Sequence, residues 1–453
     1  IELSEVVTLK EKNTPMMQLL QKSGIPVSSY EEKKESNKIS IGKIIKMVSV
    51  IGQYGMAIPF DIMFRMLSGE ISYLVGILLE KIDFLHVEMD MNGTISVFPR
   101  NSLEAKIVAN SSMVQLSERV DLIKEIIGNV SEKELGFLVS LLKAIGPNGA
   151  TDNNDFKEYY KDIAESVKEL RLSDGVYNEG TILQEASYIR EYFKESETKA
   201  QDVEALIKTQ ELLLEEIKYL EGKKDEFYYR NSYGQFLIEL SSNIGAELLY
   251  FCELKGNVNK ILDIYKKLDY YLELATIYSP DPYYPVDIWA WSINNVLKTG
   301  ISEDKKIELV GKLVSVFEKI LMENPEIVNR EDYNSRIIKV DTFEREENIT
   351  EQAFCRLIEM GSDSGIYLKA RKLIYGLDLM QRINEEDIIK IDKAIEYLET
   401  DEFKQIVYGS KKCLFLLFRL YWLKSVKEPT FFVEKKILLL AKNEWENLYL
   451  LLL

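Results

Sequence analysis

Histidine and cysteine are nearly missing from this chain, whose 453 residues include one His and three Cys. His86, Cys252, Cys355 and Cys413 lie far apart, and no Cys-x-x-Cys spacing occurs, which argues against a zinc site built from these ligands. The same scarcity excludes a disulfide scaffold. Set in apolar helical stretches, the three cysteines are expected to be buried free thiols in a reducing cytosol. Positive charge is in deficit as well: 57 Lys and Arg stand against 74 Asp and Glu, for a net charge of −17. A surface of that sign repels the phosphate backbone, so nucleic acid is not an expected partner. The mildest candidate for a local basic patch is residues 43–65, where Lys43, Lys46 and Arg65 read more simply as solvated helix faces. Long apolar runs are also missing. The stretch from Leu414 to Leu423 contains Arg419 and is about half the length of a membrane span, so it reads as a buried helix. No secretory or transit signal opens the chain, and a cytoplasmic location without membrane contact is expected.

Catalytic motifs are absent in the same way. There is no Gly-x-x-x-x-Gly-Lys-Ser/Thr loop, no Gly-x-Gly-x-x-Gly after a strand and no Gly-x-Ser-x-Gly elbow. Gly146-Pro-Asn-Gly149 is a helix breaker, because no Lys-Ser/Thr follows it. Neighbouring carboxylates such as Glu215 and Glu216, or Glu385 and Glu386, read as solvated surface rather than as a general acid and base. The lone His86 reads as structural. No catalytic, cofactor or metal-binding residue is expected in this chain.

What is present is helix. Hydrophobic residues make up 46% and charged residues 29%, which is globular composition. Residues 1–38 read as a linker or partial element with the polar run Glu31–Asn37. Residues 39–115 read as a compact unit. Helical periodicity covers 39–51, 59–67 and 70–85, and the period then changes to two over 86–98, on both sides of Asn92-Gly93. Asn-Gly is the strongest short hairpin signal, since a type I′ turn needs positive φ at both positions. Three helices followed by a hairpin is the order of a winged-helix domain.

From residue 116 to 453 helix follows helix: 120–130 and 131–145, with Ser131 and Glu134 as a capping box, then 155–172, 181–194, 201–222, 227–254, 259–279, 286–299, 303–323, 351–361, 365–377, 385–400, 403–424 and a last one from 432. Helices of this length joined by short turns are the mark of an α-solenoid of tetratricopeptide-like repeats. No strict repeating sequence accompanies it. The fold expected is therefore mostly α, a small winged-helix-like domain followed by a helical-repeat array.

Two stretches are dense in aromatics. Residues 278–291 place Tyr283, Tyr284, Trp289 and Trp291 around three prolines, and Phe227-Tyr-Tyr229 forms a second cluster with Tyr233. Aromatic loops between repeats serve as binding anchors, because Tyr and Trp bury large area at small entropic cost. They also serve as plugs at helix junctions, the simpler reading. Trp289 is expected in the core, and Tyr283 or Tyr284 at the surface. The protein-contact candidates are Tyr228, Tyr229, Tyr283, Tyr284 and Trp291.

Thr181-Ile-Leu-Gln-Glu-Ala-Ser-Tyr-Ile-Arg-Glu191, Tyr284-Pro-Val-Asp-Ile-Trp-Ala-Trp291 and Gly361-Ser-Asp-Ser-Gly-Ile-Tyr-Leu-Lys-Ala-Arg371 resemble segments in the repeat regions of bacterial STAND-class signalling ATPases. With the winged-helix order, the likeness reaches from about residue 39 to 371. The resemblance implies a sensor. The repeats would bind a trigger protein, in antiviral examples a phage structural or packaging protein. The winged helix would hold or relay the state of an ATPase domain, and an effector would act, with oligomerisation on activation. ATP and Mg would belong to that ATPase domain, whose motifs this chain lacks. Arg100 stands where the family has an arginine near the wing, although its neighbours Pro99 and Asn101 depart from the pattern. The chain begins at Ile1 and closes on Leu450-Leu-Leu-Leu453, and is expected to be a piece of a larger protein. The competing readings are a winged-helix transcriptional regulator with a peptide-sensing repeat domain, and a free-standing repeat scaffold. The first needs a basic recognition helix, whereas 70–85 carries Glu70, Glu80 and Asp83 against Lys81.

Overall fold

A computed structural model describes residues 41–67, 84–89, 95–111, 114–147, 156–345, 347–375, 377 and 384–427. The expected linker over 1–38, nearly all of the helix over 70–85, the Asn92-Gly93 turn and the helix from 432 lie outside the described residues. The described chain is mostly helical, with one small three-stranded sheet. It divides into two compact units, Ile1–Tyr250 and Phe251–Leu453.

The first unit opens with α1 (Ile41–Gly52), β1 (Ile58–Pro59), α2 (Phe60–Leu67), β2 (Leu85–Met89), β3 (Ile95–Pro99) and α3 (Ser102–Ala109). β3 is the central strand, antiparallel to both neighbours in the order β1-β3-β2. Val97 sits opposite both Ile58 and Val87 and is fully buried. The expected hairpin is therefore present as β2 and β3. Two details differ from expectation. Leu85, assigned to the third helix, begins β2, and the two-residue β1 was not foreseen because so short a strand has no period to read.

Helices α4 (Leu116–Ile127), α5 (Leu135–Ile145), α6 (Tyr160–Asp174), α7 (Glu179–Glu195), α8 (Lys199–Glu221) and α9 (Phe227–Glu253) follow. A 3-10 turn over Glu132–Glu134 precedes α5, and Ser131 and Glu134 form the expected capping box, with the Ser131 N–H donating to the Glu134 carboxylate at 2.8 Å. α5 stops at Gly146-Pro147. The carbonyl of Leu142 that this stop would orphan accepts a 2.8 Å hydrogen bond from the buried Tyr188 hydroxyl. One continuous apolar core runs from Ile44 to Tyr188, so no break in packing marks the expected boundary at residue 116. α8 buries Leu206, Gln210, Leu213, Ile217 and Leu220, the spacing of one helix face, together with Asp202 and Thr209.

The second unit comprises α10 (Val258–Tyr278), α11 (Tyr283–Leu297), α12 (Glu303–Glu323), α13 (Glu331–Lys339), α14 (Asp341–Glu344), α15 (Glu347–Glu359), α16 (Asp363–Leu373), α17 (Glu385–Leu398), α18 (Lys404–Gly409) and α19 (Lys411–Lys427). Helices adjacent in sequence pack on one another, as α10 with α11, α11 with α12, α15 with α16 and α16 with α17. The polar contacts show a regular offset. Asp281 meets Arg330 and Asp287 meets Arg336, each pair 49 residues apart, so α11 and α13 run in the same direction. Asn294 meets Asp341 at an offset of 47, and Asp363 meets Ser410 at 47. The helix expected over 403–424 is broken at Ser410, whose extended backbone separates α18 from α19 and whose hydroxyl donates to Asp363.

The cysteines differ from one another. Cys413 is buried and Cys252 half-buried, where desolvation pushes its thiol up to about 11. Cys355 is exposed, against the expectation that all three are buried, because it falls on the outer face of α15 while Phe354 and Leu357 turn inward. Among the described residues no helix is long and apolar enough to cross a membrane.

Candidate functional site

The aromatic segment 278–291 is an internal junction. Pro285 lies in the first turn of α11, where a missing N–H costs nothing. Tyr283 is 1% exposed and packs edge-on to Tyr333 at 5.7 Å between ring centroids. Its hydroxyl lies 3.3 Å from both the Asp287 carboxylate and the Asp332 carbonyl. Burial, then the Asp287 charge, pushes that phenol far above its ordinary range. Trp289 is buried as expected and donates its indole N–H to Asp269 at 2.8 Å. The Arg330 guanidinium lies 4.8 Å from the Tyr283 ring centroid and forks to Asp281 at 2.9 and 3.0 Å. Tyr283 is therefore withdrawn as a contact residue. Tyr284 is partly exposed and Trp291 half-buried.

The second cluster has the opposite setting. α6 ends at Gly175, whose φ of +66° is the left-handed conformation that lets the chain reverse. Three residues later Asn178 caps α7, accepting from the Thr181 N–H at 2.9 Å, while the Thr181 hydroxyl accepts from the Asn178 N–H at 3.0 Å. Gly180 follows because a Cβ there would stand 2.8 Å from Val139 Cγ2 of α5. The start of α7 is thus pressed against α5 and held rigid. Across from it, α8 presents Glu216 and Tyr219, three residues apart on its outer side, and the first turn of α9 presents Tyr228. Together Tyr177, Asn178, Glu179, Gly180, Ile182, Glu216, Tyr219 and Tyr228 line a cleft of about 710 Å³.

The cleft is acidic with aromatic walls. Tyr219 is 58% and Tyr228 76% exposed, and Phe227 beside them is 91% exposed. Burial, then the facing Glu179 carboxylate, raises the Glu216 carboxyl above its ordinary range, with Arg171 partly offsetting them. Arg171 is itself committed to Glu185, through bonds of 3.1 and 2.9 Å. Among the described residues neither Glu179 nor Glu216 has an ion-pair partner. The N-terminus of α7 contributes roughly half a positive charge at the cleft, less than two carboxylates contribute of the opposite sign. The rings already show their preference: the Lys223 ammonium sits 3.9 Å from the Tyr219 centroid and 4.9 Å from that of Tyr229, and donates to the Tyr219 hydroxyl.

Of the five residues named from sequence, only Tyr228 lines this cleft. Tyr229 is half-buried and stacks edge-on to Tyr228 at 5.2 Å. Sequence reasoning missed Tyr177, Glu179, Glu216 and Tyr219. The Glu216-x-x-Tyr219 spacing marks a shared helix face, but nothing local says that the start of α7 lies opposite. Glu216, read as solvated surface, is half-buried, while its neighbour Glu215 is exposed.

The basic segment 43–65 is also not a free surface. Lys43 pairs with Glu125 at 2.6 Å, Lys46 pairs with Glu118, and Arg65 meets Glu134 at 2.9 Å and the Asn129 carbonyl at 2.6 Å. These cations tie α1 and α2 to α4 and the turn after it. Arg100 is held by Glu104 one turn along α3. His86 is exposed, with its ring Nε2 3.0 Å from Glu88. Comparison of the chain with protein-family models, with curated proteins and with solved structures returns no match.

Proposed function

We propose that this chain is the ligand-sensing and regulatory region of a STAND-type signalling ATPase in bacterial antiphage defence, and that it works by binding a trigger protein. The observation that carries the reading is the cleft of about 710 Å³ with exposed Tyr219 and Tyr228 and two carboxylates that, among the described residues, have no ion-pair partner. Aromatic anchors at the rim of a concave surface are what protein recognition uses. Two features support the architecture that the reading needs. The order α1, β1, α2, β2, β3 agrees with a winged-helix domain. The same-direction pairing of α11 with α13 at a constant offset of 49 agrees with stacked helical repeats. ATP and Mg would be bound by the ATPase domain, outside this chain. A trigger acts by binding the active state more tightly than the resting one, so its effect equals that difference in affinity.

The test is ATP hydrolysis by the native gene product, with and without purified phage structural and packaging proteins. A rate stimulated by one such protein supports the reading. A native gene product without a nucleotide-binding loop, or a rate indifferent to every protein offered, overturns it.

A further inference from the structure

We propose that the cleft between the start of α7 and the outer faces of α8 and α9 receives an arginine side chain from a basic segment of a partner protein. The proposal rests on the reading of this chain as a protein-binding module and names what its cleft selects. Three features converge on a guanidinium. First, Glu179 and Glu216 face the same space from different helices, and among the described residues neither is neutralised. Keeping a half-buried carboxylate that faces another, with Arg171 offsetting them only in part, works against folding. A cation from outside relieves that arrangement. Second, Tyr177, Tyr219 and Tyr228 offer aromatic faces around these carboxylates, and Tyr219 already holds the ammonium of Lys223 against its ring. A planar guanidinium stacks on such a face and forks to carboxylates at once, which an ammonium does less well. Third, the space of about 710 Å³ exceeds what one side chain needs and admits the adjoining peptide.

The positive charges nearest the site do not fill this role. Arg171 approaches Glu216, but its Nε–Nη2 edge is engaged by Glu185. Lys223 donates to the Tyr219 hydroxyl and lies over Tyr219 and Tyr229. The exposed Phe227 next to Tyr228 supplies apolar area beside the cleft for the stem of the entering residue.

The experiment titrates the whole chain with acetyl-Gly-Arg-Gly-amide and, separately, with the same peptide carrying citrulline, which keeps the shape and removes the charge. Binding is read by calorimetry and by NMR. The proposal expects saturable binding of the arginine peptide at least tenfold tighter than the citrulline peptide and weakened by salt. It expects a tenfold or greater loss in Glu216→Gln, a smaller loss in Glu216→Asp and a loss in Tyr228→Ala, with unchanged circular dichroism in all three. No saturable binding to the wild type, equal binding of citrulline, or full binding by Glu216→Gln overturns it. The outcomes separate from those of the sensor reading. A cleft that selects arginine in a protein whose ATPase ignores every ligand overturns the sensor and keeps this assignment. An ATPase that responds to a protein trigger with Glu216→Gln and Tyr228→Ala fully active overturns this assignment and keeps the sensor.

Discussion

Around Tyr283 the aromatic side chains have been given polar partners, most of them from distant parts of the chain: Asp269 for the Trp289 indole, the Asp332 carbonyl and the nearby Asp287 for the Tyr283 hydroxyl, Arg330 across its ring. Around Tyr228 the rings stand in the open and the nearest carboxylates of the cleft wait for a counter-charge. The two segments look alike in sequence, each a short run rich in tyrosine. What separates them is whether helices some twenty to fifty residues away bring the charges that complete the set. Where they do, the aromatics are structural. Where they do not, the arrangement is left for something else to complete.

The largest test of this contrast is stability. Tyr283→Ala removes a buried ring from between Tyr333 and the Arg330 guanidinium, at a cost of about 3–5 kcal/mol, the range for large aromatics cut to Ala in a core. Tyr228→Ala is expected to stay within about 0.5 kcal/mol, as for surface substitutions. Urea unfolding followed by tryptophan fluorescence and circular dichroism compares the two; equal costs would erase the distinction.

The second test is pH, where the two sites should move in opposite directions. At Asp332 burial pushes the carboxyl up, but the hydrogen bonds and charge of Arg330 outweigh it and hold the folded value below the ordinary 3.8. Its contribution is present above that value and is lost as pH falls through the folded one. Arg330→Gln is thus expected to cost about 1 kcal/mol at neutral pH, as suits a partly exposed pair, and less once Asp332 is protonated, when the contacts to Asp281 and the Tyr283 ring remain. Glu216 is the reverse. Its folded value is raised above 4.5, so its contribution is present below 4.5 and is lost as pH rises through the folded value. Glu216→Gln should therefore raise the melting temperature slightly at pH 7 and leave it unchanged below about pH 4, as the linkage relation requires. A fall at pH 7 would mean that Glu216 has a stabilising partner.

Most helices were legible from periodicity: α12 and α17 begin at Glu303 and Glu385, where the expected helices begin. The misses have physical causes. Residues 324–350 were left without structure because their helices, α13 and α14, are short and gain order from packing of Tyr333 and Phe343 rather than from length. The break at Ser410 follows Gly409, a poor helix former, and the Ser410 hydroxyl bonds Asp363, which the sequence does not show. The regular offsets of 47 to 49 lie in contacts between individual charged and polar residues and leave no consensus in the sequence. The cleft was half legible. Tyr228 announces itself as an aromatic, whereas Glu179 and Glu216 look like any surface acids until α7 and α8 are brought together.

The paired bridges from Asp281 to Arg330 and from Asp287 to Arg336 also bear on how fast this part of the molecule comes apart. Each joins side chains 49 residues apart, so it closes only after α12 has folded back between α11 and α13. Contacts made after the rate-limiting barrier do not speed folding; they slow escape from the native state. Bridges that close after that barrier would act as a latch of this kind. In stopped-flow experiments with Arg330→Gln, the unfolding arm of the chevron should rise while the refolding arm stays in place. The segment that sequence marks as an aromatic loop then sets the lifetime of the folded unit rather than its route to folding.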